Sequence, residues 1–100
     1  MEKRKPHHSL EAIKAVFCTP EKLNITKTAR NCARSLGINL DQVVAIVQSL
    51  SAKNFYKSMT SDLNSSIWQD VYHVAHGKTE LYVKFTTDSR GYLLISLKEK

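Results

Sequence analysis

The spacing of apolar residues changes near Lys53, and this change limits the folds that the chain can adopt. Up to about residue 50, apolar residues recur every three or four positions, as they do in amphipathic helices. From residue 55 to residue 98 they alternate with polar residues, as they do in half-buried strands. Helices followed by strands indicate an α+β fold, in which N-terminal helices pack on one face of a C-terminal antiparallel sheet.

Three helices are predicted in the first half, and each follows a residue that can cap it. Ser9 and Thr26 precede the first two, while Asn39, with Gln42 three residues later, forms a capping-box pattern before the third. Gly37 suits the end of the second helix. The residues expected to face the core are Leu10, Ile13, Val16 and Phe17; Ala29, Cys32 or Ala33, and Leu36; and Leu40, Val43, Val44, Val47 and Leu50.

Several other segments have the character of strands. Pro20 ends the first helix, and residues 22–25, "KLNI", are predicted to form a short edge strand. The four principal strands are predicted at residues 55–59, 67–74, 80–87 and 92–98. Because their connections are short and polar, successive strands are expected to form hairpins and so an antiparallel meander.

The turn "DSRG" sets the predicted register of the last two strands. A three-residue loop, in which Gly91 supplies a positive φ, pairs Asp88 with Tyr92. Tyr82 then lies opposite Lys98 on the face away from the helices. The apolar pairs that face the helices are Phe85 with Ile95 and Val83 with Leu97.

The turn "AHGK" sets the register of the preceding hairpin. A two-residue loop of His76 and Gly77 pairs residue 75 with residue 78, which places Gln69 opposite Lys84 on the same open face. Asp70 then points inward, where a carboxylate needs a partner or an edge position. The open face is thus predicted to gather lysine, tyrosine and glutamine side chains.

The charge of the chain favours a polyanionic partner. Fifteen Lys and Arg against nine Asp and Glu give a net charge of +6 and a pI near 9.5. The first 53 residues carry +5 and the remaining 47 carry +1. An open face with lysine and tyrosine donors and little acid suits a phosphate. The plainer interpretation is that an exposed sheet face must be polar in any case.

Composition excludes several classes of protein. One hundred residues make one domain, 1–100, and the apolar runs are too short to cross a membrane. The basic N-terminus lacks a following apolar segment, so the protein is expected to be cytoplasmic. Cys18 and Cys32 are expected to be reduced and buried. No CxxC pair occurs, so neither a metal site nor a cofactor is predicted.

Four ordered motifs resemble a known family. They are "MEKRKPH" at the N-terminus, "FYKSMT" at 55–60, "IWQDVY" at 67–72 and "LKEK" at the C-terminus. They are similar to the motility quorum-sensing regulator (MqsR) toxins, a resemblance that spans nearly the whole chain. It implies a RelE-like fold and a sequence-specific, metal-independent mRNA endonuclease of a type II toxin–antitoxin pair. It also implies an antitoxin with a zinc-binding domain and a helix-turn-helix domain.

The resemblance also implies a set of site residues. The proposed catalytic residues are Lys57, Gln69, Tyr82 and Lys98, and the proposed substrate-binding residues are Tyr56, Met59 and His7, to which the predicted register of the open face adds Lys84. The chain departs from the family at His73-Val74, where Arg-Pro is often found, which bears on base preference or phosphate contact there. The other histidines, His8, His73 and His76, are expected at the surface.

Those residue types suit RNA cleavage by the 2′-hydroxyl of the RNA itself. Lys57 and Lys98 are expected to stabilise the pentacoordinate phosphorane, and one of them or Tyr82 to transfer protons. Gln69 would hold the phosphate or a base edge, Tyr56 would stack, and Met59 would shape the base pocket. Two alternatives stay open: a non-catalytic RNA-binding or regulatory module, and a degenerate toxin that keeps only antitoxin binding.

Overall fold

A computed structural model describes residues 1–61, 63–64 and 66–100. The described residues form three α-helices: α1 Leu10–Val16, α2 Lys27–Ser35 and α3 Leu40–Ser49. They also form five strands: β1 Glu2–Lys3, β2 Phe55–Thr60, β3 Trp68–His76, β4 Thr79–Asp88 and β5 Gly91–Glu99. The strands make one antiparallel sheet in the order β1-β2-β3-β4-β5, which confirms the α+β prediction. In the described part of the chain, no helix is long and apolar enough to span a membrane.

The helices begin where the sequence predicts, and α2 ends before Gly37 as predicted, but α1 ends at Val16, ahead of the predicted stop at Pro20. Ser9 Oγ accepts a hydrogen bond from Ala12 N, and Thr26 Oγ1 accepts one from Ala29 N. Asn39 and Gln42 form the predicted capping box, with both reciprocal side-chain bonds present. Gly37, at φ 76°, follows α2 in the left-handed conformation that glycine adopts at low cost.

Two predictions about strands need correction. Residues 22–25 do not form a strand, because Pro20–Lys22 turn as a 3₁₀ helix and only Ile25 makes a bridge to Leu94. The strand β1 was not predicted, since two residues carry no alternation. Glu2 pairs with Met59, and Lys3 pairs with Ser58.

The core lies between the three helices and one face of the sheet. Its buried residues include Ile13, Phe17, Ala29, Ala33, Val43, Val47, Leu50, Tyr72, Val83, Phe85, Leu94 and Leu97. Val16 was predicted inward but is 39% exposed, because α1 ends there and Phe17 turns into the core instead. In α3, Ile46 is buried while Val44 is only half-buried. The cysteines are free as expected, although Cys18 is exposed and Cys32 half-buried rather than buried.

The register of β4 with β5 confirms the prediction far from the turn and corrects it near the turn. Tyr82 pairs with Lys98 as predicted. Near the turn, Asp88 pairs with Gly91 rather than with Tyr92, because its side chain accepts a hydrogen bond from Arg90 N and closes a tighter turn. A bulge between Lys84 and Phe85 leaves one residue of β5 unpaired. It restores the predicted pairing from Lys84 back toward the start of β4. That residue is Ile95, so Phe85 pairs with Leu94 instead and Val83 keeps its predicted partner Leu97.

The register of β3 with β4 differs from the prediction. The turn residues are Gly77 and Lys78, and Gly77 has a φ of 62°, so the predicted His76–Gly77 loop is wrong. Val71 rather than Gln69 therefore lies opposite Lys84. Each residue of β4 thus lies opposite a residue of β3 that is two positions further along than predicted. Because a shift of two residues preserves the alternation of the strand, every side chain stays on its predicted face.

Asp70 is the buried carboxylate whose need for a partner was predicted. It is 0% exposed and shares the helix-facing side of the sheet with Tyr72. Its carboxylate accepts hydrogen bonds from His7 N at 3.1 Å, His8 N at 2.8 Å and Ser58 Oγ at 2.6 Å. Asp70 thus ties the N-terminal segment to the sheet.

Tyr72 carries a hydroxyl that the core does not satisfy. Its side chain is 0% exposed, and the hydroxyl has no hydrogen-bond partner among the residues that the structure describes. Burial raises the pKa of Tyr72 to about 12. The phenol therefore stays protonated in the folded protein at a pH where it ionises in the unfolded chain.

Replacing Tyr72 by phenylalanine is expected to raise the free energy of unfolding by about 1 kcal/mol, because an unpaired buried hydroxyl is removed. The substitution should also flatten the loss of stability at high pH. The unfolded phenol ionises near pH 10 and the folded one near pH 12, so the wild type loses about 1.4 kcal/mol per pH unit between them from this group. Urea titrations at pH 7 and pH 11 check both effects. Tyr92→Phe is the control, and equal pH slopes for wild type and Tyr72→Phe would contradict the prediction.

Candidate active site

The face of the sheet opposite the helices collects most of the predicted site residues. Strand alternation places them there, since their neighbours in sequence, such as Ser58, Asp70 and Val83, face the helices. The side chains on this open face include Tyr56, Lys57, Met59, Gln69, His73, Tyr82, Lys84 and Lys98. Val71, the cross-strand neighbour of both Lys57 and Lys84, is fully buried among them. Four strands thus contribute to one contiguous surface.

Tyr82 lies at the centre of this surface. Lys98 Nζ is 5.1 Å from the centre of its ring, and Lys84 Nζ is 5.6 Å from it. Burial raises the pKa of Tyr82, while Lys98 and Lys57 act in the opposite direction. The pKa remains above its ordinary value, so Tyr82 presents a protonated hydroxyl, a hydrogen-bond donor, beside two ammonium groups.

Lys57 forms an ion pair that the sequence did not indicate. Its Nζ donates to Glu2 Oε1 at 2.6 Å, because the pairing of β1 with β2 brings Glu2 onto the open face. The expectation of an open face with little compensating acid is therefore wrong at this position. The bond to Glu2 raises the pKa of Lys57 and lowers the pKa of Glu2. A phosphate that binds Lys57 has to displace this carboxylate.

Replacing Glu2 by glutamine is expected to strengthen RNA binding, because Lys57 is released from its carboxylate partner. The slope of log K against log salt should become steeper by about 0.7, the contribution of one additional phosphate contact on a single strand. Fluorescence anisotropy with labelled RNA at several salt concentrations measures this slope. Glu99→Gln removes the same charge from the helix-facing side, where Glu99 pairs with Leu81, and should leave the slope unchanged. Equal slopes for both variants would contradict the prediction.

A groove opens beside the central tyrosine. It has a volume of about 320 Å³ and is lined by Met59, Thr60, Ser61, Leu63, Gln69 and Lys84. Met59 and Gln69 are cross-strand partners, so a flexible apolar side chain and an amide lie side by side at its base. An apolar wall with one amide and one ammonium group suits a nucleobase joined to a phosphate.

His7 is the one predicted site residue that the structure places elsewhere. Its ring stacks on Trp68 with ring centres 5.2 Å apart, and its Nδ1 accepts from Lys3 Nζ at 2.9 Å. Lys3 lies on the helix-facing side, since it pairs with Ser58. His7 and the open-face residues therefore lie on different sides of the sheet.

His73 lies on the open face, although it was expected to be an ordinary surface residue. Its ring stacks on that of Tyr56, with centres 4.4 Å apart, and lies 5.9 Å from the ring of Tyr82, its cross-strand partner. The alternation along β3 already put residue 73 on the face of Gln69. The sequence therefore indicated the face on which His73 lies. It did not indicate the aromatic neighbours of His73, because no sequence pattern predicts the bulge at which Tyr56 turns toward it.

The residues that the structure describes include no group of three or more His, Cys, Asp or Glu side chains that could hold a metal ion. The two histidines of β3, His73 and His76, are separated from Cys18, which follows α1, and from Cys32, which lies within α2.

Fold and site together define a small basic α+β protein whose open sheet face is suited to a polyanion. The family described as "Motility quorum-sensing regulator, toxin of MqsA" matches residues 5–99. A curated relative, the mRNA interferase toxin MqsR of Escherichia coli (strain K12), is 36% identical over 100 residues, which are 100% of both chains. The chain therefore belongs to the MqsR toxin family, as its motifs indicated. Membership implies an antitoxin partner and an RNA substrate.

Proposed function

We propose that this chain is the toxin of a type II toxin–antitoxin pair and a sequence-specific endoribonuclease that cleaves mRNA, which arrests translation and growth. The observation that carries the proposal is the grouping of Lys57, Tyr82 and Lys98 on one sheet face, beside a groove that Gln69 lines. The relative named an mRNA interferase toxin supports it.

RNA supplies its own nucleophile, so the protein has to position the phosphate and move protons. The 2′-oxygen attacks the adjacent phosphorus, negative charge collects on the non-bridging oxygens, and the 5′-oxygen leaves. The ammonium groups of Lys57 and Lys98 stabilise this charge, an effect that typically contributes about 10²–10³-fold per donor. The products are a 2′,3′-cyclic phosphate and a 5′-hydroxyl.

Tyr82 is the group best placed to protonate the leaving oxygen. Its pKa is held above the ordinary value by burial, so the hydroxyl is fully protonated at neutral pH. A departing alkoxide is a far stronger base than a phenolate, so the proton moves to the 5′-oxygen as the bond to phosphorus breaks. A positioned acid of this kind typically contributes about 10²–10⁴-fold.

The remaining open-face residues bind the substrate in this proposal. Gln69 hydrogen-bonds a phosphate or a base edge, and Met59 forms the apolar wall of the groove. Tyr56 is 43% exposed, so one face of its ring is free to stack on a base while the other packs on His73. Lys84, at the edge of the groove, contacts the backbone phosphate. In this proposal His7 contacts only the part of the RNA chain that continues from the open face past the N-terminal segment.

The partner completes the proposal. The family description names a toxin of MqsA, and we propose that the cognate antitoxin has a zinc-binding N-terminal domain and a helix-turn-helix domain. We propose that the protein acts in the cytoplasm, where an mRNA substrate is found.

Mapping of cut sites tests the proposal. Purified protein is incubated with a defined mRNA in excess EDTA, and new 5′ ends are located by primer extension. We expect discrete cuts at a repeated short sequence, absent with a Tyr82→Phe/Lys98→Ala double variant. His76→Gln is the control, since His76 is the last residue of β3, at the far end from Gln69, and should cut like the wild type. RNA binding without any cut by the wild type would contradict the proposal and favour the non-catalytic RNA-binding module.

A further inference from the structure

Tyr82 donates a proton and Lys57 and Lys98 supply positive charge in the proposed reaction. Cleavage also requires a group that accepts the proton of the 2′-hydroxyl. The ion pair with Glu2 raises the pKa of Lys57, and burial raises the pKa of Tyr82. Both groups therefore carry their protons at neutral pH and cannot accept another. A general base works best when its pKa lies near the working pH.

His73 has the position that such a base requires. It lies in the middle of β3, directly across from Tyr82, with the two ring centres 5.9 Å apart. Stacking on Tyr56 at 4.4 Å holds the plane of the imidazole, and the ring is half-buried rather than free in solvent. Imidazole and phenol are thus close enough to hydrogen-bond the entering and the leaving oxygens of one phosphate.

We propose that His73 is the general base of RNA cleavage, a catalytic role that rests on the function proposed above. The unprotonated ring nitrogen of His73 takes the proton of the 2′-hydroxyl, and the electron pair left on the 2′-oxygen forms the new bond to phosphorus. The bond from phosphorus to the 5′-oxygen breaks, and the 5′-oxygen receives the proton of Tyr82. Proton exchange between His73 and Tyr82 through solvent then restores both groups.

The charges around His73 keep the imidazole neutral. Burial and Lys100 lower its pKa from the ordinary value, and Glu80 acts in the opposite direction. Lys100 and Glu80 neutralise each other in part, since Lys100 Nζ donates to Glu80 Oε1 at 3.2 Å. The other titratable groups on this part of the face are Tyr56 and Lys57 of β2, Tyr82 of β4 and Lys98 of β5. At pH 7 the ring therefore has one nitrogen free to accept a proton.

The pH dependence of single-turnover cleavage tests this assignment. The wild-type rate should fall on the acid side of a midpoint below pH 6.5, where His73 becomes protonated. His73→Gln and His73→Phe should both cleave about 10²-fold more slowly at pH 7 and lose that acid limb. RNA affinity should change less than threefold, because the lysines remain. His76→Gln should keep both the wild-type rate and the limb.

The two His73 variants separate proton transfer from packing. His73→Phe keeps an aromatic ring for Tyr56 to stack on, so a purely structural role would leave its rate near that of the wild type. Rates within threefold of the wild type in His73→Phe, or an unchanged acid limb in His73→Gln, would overturn the inference while leaving the endoribonuclease intact. A wild type that does not cleave RNA at all would instead overturn the proposed function, and this inference with it.

Discussion

Replacing Asp70 by alanine is expected to lower the free energy of unfolding by about 3 kcal/mol, a large share of the stability of a domain this size. The carboxylate is fully buried and accepts three hydrogen bonds. Removing the carboxylate leaves the buried Ser58 Oγ without a hydrogen-bond acceptor. It also removes the hydrogen bonds from the backbone N–H groups of His7 and His8. Hydrogen bonds to a charged group contribute about 1.5–3 kcal/mol each, and neighbouring bonds do not add fully.

Thermal unfolding followed by circular dichroism measures this effect. The melting temperature of Asp70→Ala should fall by roughly 12–24 °C, since each kcal/mol shifts a domain of this length by about 4–8 °C. The melting temperature of Asp70→Asn, which keeps one carbonyl acceptor, should fall by less. Asp41→Ala removes an exposed carboxylate in the first turn of α3 and should cost under about 1 kcal/mol. A melting temperature of Asp70→Ala within 4 °C of the wild type would show that Asp70 does not anchor the N-terminal segment.

Replacing Lys98 by alanine is expected to slow single-turnover cleavage about 10²–10³-fold. The ammonium group of Lys98 lies over the ring of Tyr82 and would face the charge that develops on the phosphate. It is exposed at the end of β5, so its removal should leave the fold and the melting temperature unchanged. The slope of log K for RNA binding against log salt should become shallower by about 0.7, the contribution of one phosphate contact on a single strand.

The matched control is Lys53→Ala, which removes the same charge from an exposed position in the 3₁₀ segment Ala52–Asn54. It should cleave within about twofold of the wild type. Adding Tyr82→Phe to Lys98→Ala should cost less than the product of the single effects, because residues of one catalytic group act together. A rate for Lys98→Ala within tenfold of the wild type would remove Lys98 from the catalytic group and leave it as a solvated strand end.

The part of the site built on regular strands could be predicted from the sequence. Alternation places Gln69 and Tyr82 on one face, because the partners of β3 and β4 shift by two residues and such a shift keeps each side chain on its side. The Tyr82–Lys98 pair was also predicted correctly, although the turn at Asp88 is one residue shorter than predicted. The bulge at Ile95 compensated for the error in the turn.

The part of the site that depends on the N-terminal segment could not be predicted. Two residues of β1 show no periodicity, and their place beside β2 depends on Asp70, which receives hydrogen bonds from the backbone more than sixty positions away. Glu2 therefore reached the open face unforeseen, and the sequence did not indicate that His7 lies on the other side of the sheet from the other predicted site residues. The neighbours of His73 were not predicted either, since the register shift between Phe55 and Lys57 that accompanies the stacking of Tyr56 on His73 has no counterpart in the sequence pattern.

The chemistry of the cut ends tests the central claim most directly. Two RNAs that contain one mapped cut site are compared, one natural and one with a single 2′-deoxy nucleotide immediately 5′ of the scissile phosphate. Mass spectrometry of the products then identifies the ends. Attack by the 2′-hydroxyl predicts a 2′,3′-cyclic phosphate and a 5′-hydroxyl from the natural RNA, and no cleavage of the substituted one. A 5′-phosphate with a 3′-hydroxyl, or cleavage of both RNAs at equal rates, would contradict it.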